Sequence, residues 1–252
     1  MKKIFSLLAV LLPVLASAQS GPQLYNMSFD EWSKSGGVWY PYAEGAPASE
    51  RIWDTPNTGM SKFGINATVP EYEHVAVSGK GKAAAKVESR KIAVAFVAGS
   101  LYTGHYLGLV GLSGAKTELG AGFRARPKSF SGWYHYVPQT VNCAKGASSG
   151  MKGKPDKALI DVLLMDWEEK HVQNTAVDGP IDTEHDPHII GQAVVYIDSA
   201  TEGYVHFEVP FKYRNGKTPN YVNITVTPSR YGADFTGGAG SVIYVDEFQF
   251  NY

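Results

Sequence analysis

Between Val205 and Tyr213 the chain alternates strictly. Val205, Phe207, Val209, Phe211 and Tyr213 fall on one side, and His206, Glu208, Pro210 and Lys212 on the other. A period of two over nine residues marks a strand with one buried face. Pro210 has no N–H for a ladder, so one edge of this strand is free or bulged there. Arg214-Asn215-Gly216-Lys217 follows with an Asn-Gly turn signal, and Val222, Ile224 and Val226 then alternate through 221–227. The segment 241–252 reads as a third strand, rich in Val, Ile, Tyr and Phe. Earlier candidates are 75–77, 82–89, 92–98, 130–137, 159–165 and 192–197. The 161–170 segment fits a short helix, but its run Val162-Leu163-Leu164-Met165 equally fits a fully buried strand. About ten short strands with turns between them predict an all-β chain: a two-sheet β-sandwich of jelly-roll type. The 27 Gly, 14 Pro and 15 Tyr among 252 residues suit that class better than a helical one.

The remaining segments set the organisation. Met1-Lys2-Lys3, the apolar stretch 4–15 and Ala16-Ser17-Ala18 read as a signal peptide over 1–18, with the mature chain starting at Gln19. The apolar stretch falls short of the roughly 20 residues that span a bilayer. These features predict an exported chain, soluble in the periplasm or outside the cell. Residues 19–252 read as one domain, expected to act as a monomer. Two long irregular stretches, 40–72 and 168–190, are the places to look for function.

Several function classes fall away. A net charge of −1 leaves no basic field for nucleic acid. The single cysteine, Cys143, rules out an intrachain disulfide framework and a Cys-based cluster, and reads as inert. No nucleophile elbow, His-Glu-x-x-His or phosphate loop occurs, and nothing calls for an organic cofactor. Asp182-Thr183-Glu184-His185-Asp186-Pro187-His188 crowds acids and imidazoles together, but Pro187 precludes a helix, so it reads as a solvated loop.

A set of short motifs is spread in order along the chain. They are Asn26-Met27-Ser28-Phe29-Asp30-Glu31-Trp32, Trp53-Asp54-Thr55-Pro56-Asn57, 79–89, 98–104, Arg126-Pro127, Gly132-Trp133-Tyr134-His135-Tyr136, Ser229-Arg230-Tyr231-Gly232 and 240–248. Together they resemble the putative carbohydrate metabolism domain family of secreted Bacteroidetes-type proteins. The resemblance implies a jelly-roll sandwich similar to carbohydrate-binding modules and to galactose-binding-like folds. The paired end motifs also look like xylan- and glucan-binding jelly rolls, in which a structural Ca2+ often lies where first and last strands meet. That resemblance implies Asp30 and Asp246 as calcium carboxylates, with carbonyls near Gly79 and Lys80 completing a shell of hard oxygens.

Sugar sites pair flat rings with amide, carboxylate or guanidinium groups. Trp53, Asp54 and Asn57 supply that mixture in one loop stiffened by Pro56. Arg126, Tyr134, Tyr136 and Trp167 are further candidate ligand-binding residues. The leading expectation is a secreted glycan-binding protein whose partner is an oligo- or polysaccharide. The alternative is a glycoside hydrolase using two loop carboxylates drawn from Asp54, Asp161, Asp166, Glu168 and Glu169. A structural or adhesion protein is the third.

Overall fold

The computed structural model describes residues 21–77, 80–92, 95–111 and 114–252. The 1–18 leader and Gly79 lie outside the described residues. Two antiparallel sheets pack face to face in a jelly-roll sandwich. One has five strands in the order Val205–Pro210, Ser129–Val137, Val242–Asn251, Ala84–Glu88 and Thr68–Glu71. The other runs His171–Asn174, Gly114–Leu119, Leu101–Val110, Tyr221–Thr227, Ala158–Met165, Ile189–Ile197 and Lys212–Tyr213. Ala121–Gly122 pairs with Tyr221–Thr227, and Trp53–Asp54 pairs with Leu101–Val110. This makes nine strands in the second sheet.

Alternation fills the space between the sheets. Phe130, Tyr136, Phe207, Ile243, Val245, Phe248 and Phe250 point in from the five-stranded sheet and meet Leu101, Ile160, Val162, Leu164, Val222, Ile224 and Val226 from the other. Phe130 anchors the ring cluster, with centroids 5.0 Å from Phe248, 5.3 Å from Phe250 and 6.0 Å from Phe207. A second apolar cluster lies on the outer face of the nine-stranded sheet: Tyr102, Leu119, Leu163, Met165, Trp167 and Ile189. Ala158–Met165 is therefore covered on both faces over its second half, which is why its apolar run does not alternate.

The structure changes several sequence expectations. The alternation over 205–213 is not one strand. Val205–Pro210 belongs to the five-stranded sheet and Lys212–Tyr213 to the nine-stranded one, with buried Phe211 as the crossing point. Pro210 does mark an edge, because Val205–Pro210 is the outermost strand of its sheet. Residues 75–77 are not a strand, and Ala76 and Val77 are bends. Of the 92–98 candidate, Ala95–Val97 forms a short strand paired antiparallel with Arg90–Ile92. The Leu101–Val110 and Gly114–Leu119 ribbon has little apolar alternation in sequence. Gly104, with φ +143°, lies there so close to the Glu118 carbonyl oxygen that a Cβ would stand 2.0 Å from it.

Candidate functional site

The nine-stranded sheet lays four residues side by side on its outer face. Asp54 is in register with Tyr102, Tyr102 with Thr225, and Thr225 with Asp161. Directly opposed side chains stand about 4.5–5.5 Å apart at Cβ. Each element reaches this row for a local reason. Trp53–Asp54 is a two-residue edge strand whose indole turns inward, so the next side chain must turn outward. Val222, Ile224 and Val226 bury the inner face of their strand, which sends Asn223 and Thr225 out. Ile160 and Val162 do the same for Asp161.

The row and the strand positions flanking it carry hydrogen-bonding capacity that the protein itself does not use. The hydroxyls of Tyr102 and Tyr106 and Oδ1 of Asn223 are buried without a hydrogen-bond partner. Orphaned buried polar atoms cost about 1–3 kcal/mol each. Asp54 is held in place by two backbone amides, Thr55 N–H to Oδ1 at 2.7 Å and Tyr106 N–H to Oδ2 at 2.7 Å. Gln192 Nε2 donates to Asp161 Oδ1 at 2.8 Å. Desolvation pushes both carboxyls up to about 6, against the opposing pull of those same donors. Rings stand at both ends. Tyr40 and Tyr42 stack at 5.5 Å on the Asp54 side, and burial followed by the Asp54 charge raises the Tyr42 hydroxyl. Tyr196, 60% exposed, is in register with Leu159, two residues from Asp161, and carries the Arg230 guanidinium 4.6 Å from its ring centre. A cleft of about 190 Å³ elsewhere on the same sheet is lined by Ser49, Ile52, Gly104, His105, Gly122 and Lys170 among others, and by no member of the row.

Of the ligand-binding residues the sequence singled out, Asp54 alone stands in this row. Trp53 does not offer its face to a ligand: it is fully buried, its Nε1–H donates to the Tyr25 carbonyl at 2.8 Å, and its ring meets Phe29 edge-on. Asn57 is spent as a staple. Its Nδ2 donates to Trp39 O and Thr68 O, while Oδ1 accepts from Ala67 N–H and Thr68 N–H. Tyr136 is a core residue whose hydroxyl donates to Pro228 O at 2.8 Å. Tyr134 packs half-buried against the same core. Trp167 caps the outer apolar cluster and stacks on His171 at 5.1 Å. Arg126 lies 3.9 Å over Tyr213 and donates to the Lys217 and Asn215 carbonyls. Residues 182–188 are tied down locally, His185 to Asp182 and His188 to Asp166.

Sequence reading missed Tyr102, Tyr106, Asn223, Thr225 and Gln192 and placed Asp161 only in a pool of acids. Asn223 and Thr225 were visible as the polar half of an alternating strand. Which strands neighbour which was not.

At the junction of the chain ends a second cluster forms. Asp30 Oδ1 accepts from the Lys82 and Ala83 amides, and its Oδ2 accepts from Ser28 Oγ–H at 3.0 Å. A Cβ on Gly81 would lie 3.0 Å from Asp30 Oδ1 and 3.3 Å from Glu247 Oε1, so these two carboxylates face one small space. Asp246 is 1% exposed. Its Oδ2 accepts from Ala76 N–H at 2.8 Å, and its Oδ1 is buried without a partner. Burial, with added repulsion from Glu247 and Asp30, pushes Asp246 up to about 7. Phe29, Gly81 and Glu247 all have positive φ here, +54°, +78° and +52°. Two of these are side chains that rarely adopt it, as found at ligand clamps. Glu247 shares the Gly81 space with Asp30 and pairs with Lys80 Nζ at 2.5 Å.

Comparison with known proteins supports the architecture. A putative glycoside hydrolase from Bacteroides vulgatus is similar with a TM-score of 0.68 at 20% identity, over 91% of this chain and 97% of that one. A second putative glycoside hydrolase, from Bacteroides thetaiotaomicron, has a TM-score of 0.65 at 19% identity, over 92% of this chain and 71% of that one. At these identities the likeness shows the fold. No curated protein matches the chain. The family model described as "putative carbohydrate metabolism domain" matches residues 28–251, and the chain belongs to that family.

Proposed function

We propose that this chain binds a glycan across the outer face of its nine-stranded sheet. The observation that carries the reading is the Asp54–Tyr102–Thr225–Asp161 row beside the unpartnered Tyr102 hydroxyl and Asn223 Oδ1. Sugar hydroxyls both donate and accept, which such a floor requires. Tyr196 and the Tyr40–Tyr42 pair supply ring surface at the two ends. Membership of the carbohydrate metabolism family agrees with this.

The spacing supports binding over hydrolysis. Asp54 and Asp161 stand three strand spacings apart, about 14 Å at roughly 4.8 Å each. Glycosidase carboxyl pairs stand about 5–9.5 Å apart. A glycan-array screen with detection of released sugar tests the reading. Retention of one glycan class without release is expected. Steady release of reducing ends would replace binding with hydrolysis, and no retention of any glycan would remove the site.

We propose that a calcium ion binds at the junction of the chain ends, where it would displace Lys80 from Glu247 and draw together three carboxylates that do not converge without it. Asp30, Asp246 and Glu247 are hard oxygen donors, and the orphaned Asp246 Oδ1 is the atom a cation would satisfy. Calcium there would neutralise crowded carboxylates and clip the first segment to the last strand, where Phe248 N–H already donates to Met27 O at 2.8 Å. Export of the chain rests on the 1–18 leader, and N-terminal sequencing of secreted protein is expected to begin at Gln19.

A further inference from the structure

The chemistry of the row's floor narrows the sugar, given the outer-face reading on which this step rests. We infer that the site takes neutral glycans and turns away uronic acids, with Asp161 and Asn223 as the residues that set this preference. The floor offers mainly acceptors. Asp54 and Asp161 bracket the row, and Asn223, two residues along the strand from Thr225 and opposite Leu163, is 3% exposed with its Oδ1 lacking any donor. A sugar hydroxyl gives each of them a proton to share. A ligand carboxylate at neutral pH has none to give and meets two like charges where little water remains to screen them.

The neighbouring cations are already engaged. Arg51 Nε donates to Ala46 O at 2.7 Å and its guanidinium lies 5.6 Å over Tyr42. Arg230 lies over Tyr196 and pairs with Asp198 at 2.5 Å. Lys170 pairs with Glu118 at 2.9 Å. An incoming carboxylate would have to break one of these contacts to find a counter-charge. The Tyr102 and Tyr106 hydroxyls can donate or accept, which suits a ring bearing several hydroxyls.

The test is affinity electrophoresis of the full chain at pH 7.5 in gels carrying xylan, mixed-linkage glucan, galactan, polygalacturonate or alginate. Retardation by at least one neutral polymer is expected, with uronate polymers about tenfold weaker or more. Asp161→Asn is expected to narrow the neutral-to-uronate ratio by removing one repelling charge. Asn223→Leu, similar in size but without an acceptor, is expected to weaken the neutral polymer about tenfold without lowering the melting midpoint. Equal retardation by neutral and uronate polymers would overturn the inference while leaving a glycan site in place. An Asp161→Asn variant with an unchanged ratio would also overturn it. Retardation by no polymer would remove the underlying reading.

Discussion

Trp53 Nε1 donates to the Tyr25 carbonyl at 2.8 Å, which ties the first described segment to the edge of the nine-stranded sheet. The indole is fully buried and sits edge-on to Phe29 at 5.2 Å. Trp53→Ala is therefore expected to cost about 3–5 kcal/mol of stability through the cavity it leaves. Urea titration measures this. An unchanged midpoint would show that the ring is not core.

Asp156 holds three loops together. Its Oδ2 accepts from Ser229 Oγ–H at 2.6 Å, Gly238 N–H at 2.7 Å and Ser241 Oγ–H at 2.9 Å, and its Oδ1 accepts from Lys157 N–H at 2.9 Å. The residue is fully buried, and desolvation raises its pKa against the pull of these donors. Asp156→Ala would orphan several buried donors at about 1–3 kcal/mol each. A loss of at least about 2 kcal/mol by denaturant titration is expected, and a neutral effect would contradict the network's role.

The calcium proposed at the junction predicts a stability that depends on calcium. Added Ca2+ is expected to raise the melting midpoint, and excess chelator to lower it. Asp246 must give up its proton to bind a cation, so the calcium effect should fade as pH falls below about 7. Asp30→Asn and Glu247→Gln should each blunt it. Identical melting with calcium and with chelator would reject the clip.

Asp161 also leaves a pH signature. Its folded value of about 6 lies above the roughly 3.9 of an unfolded aspartate. Its contribution to stability is therefore full below about pH 4 and is lost as pH rises through 6. His105 and His135 are pushed down, chiefly by burial, and act in the opposite direction, destabilising the fold as pH falls through the usual imidazole range. Comparing wild type with Asp161→Asn isolates the carboxyl. Between pH 8 and pH 5, wild type should gain stability relative to the variant. Parallel curves would mean that the carboxyl is not perturbed.

The fold was legible where one face of a strand carries apolar side chains and the other polar ones. Ser129–Val137, Tyr221–Thr227 and Val242–Asn251 alternate for that reason, and Asp30 and Asp246 were visible as paired end motifs. The row proposed to bind was not legible, because it is made by register. Asp54, Tyr102, Thr225 and Asp161 come from four separate strands, and no local spacing links them. Trp53 misled for a related reason. A Trp next to Asp, Pro and Asn resembles a binding loop, but in a two-residue edge strand successive side chains take opposite faces. The indole went to the core and the carboxylate to the surface.

The most direct measurement blocks the row in its middle. Thr225 lies between Tyr102 and Asp161, so Thr225→Trp would fill the space a sugar needs. His206→Trp places the same ring on the exposed outer face of the other sheet, opposite Trp133. Isothermal titration of both folded variants with the best neutral glycan should show binding lost in Thr225→Trp and retained in His206→Trp. Full affinity in folded Thr225→Trp, or loss in His206→Trp alone, would contradict a site on the nine-stranded sheet.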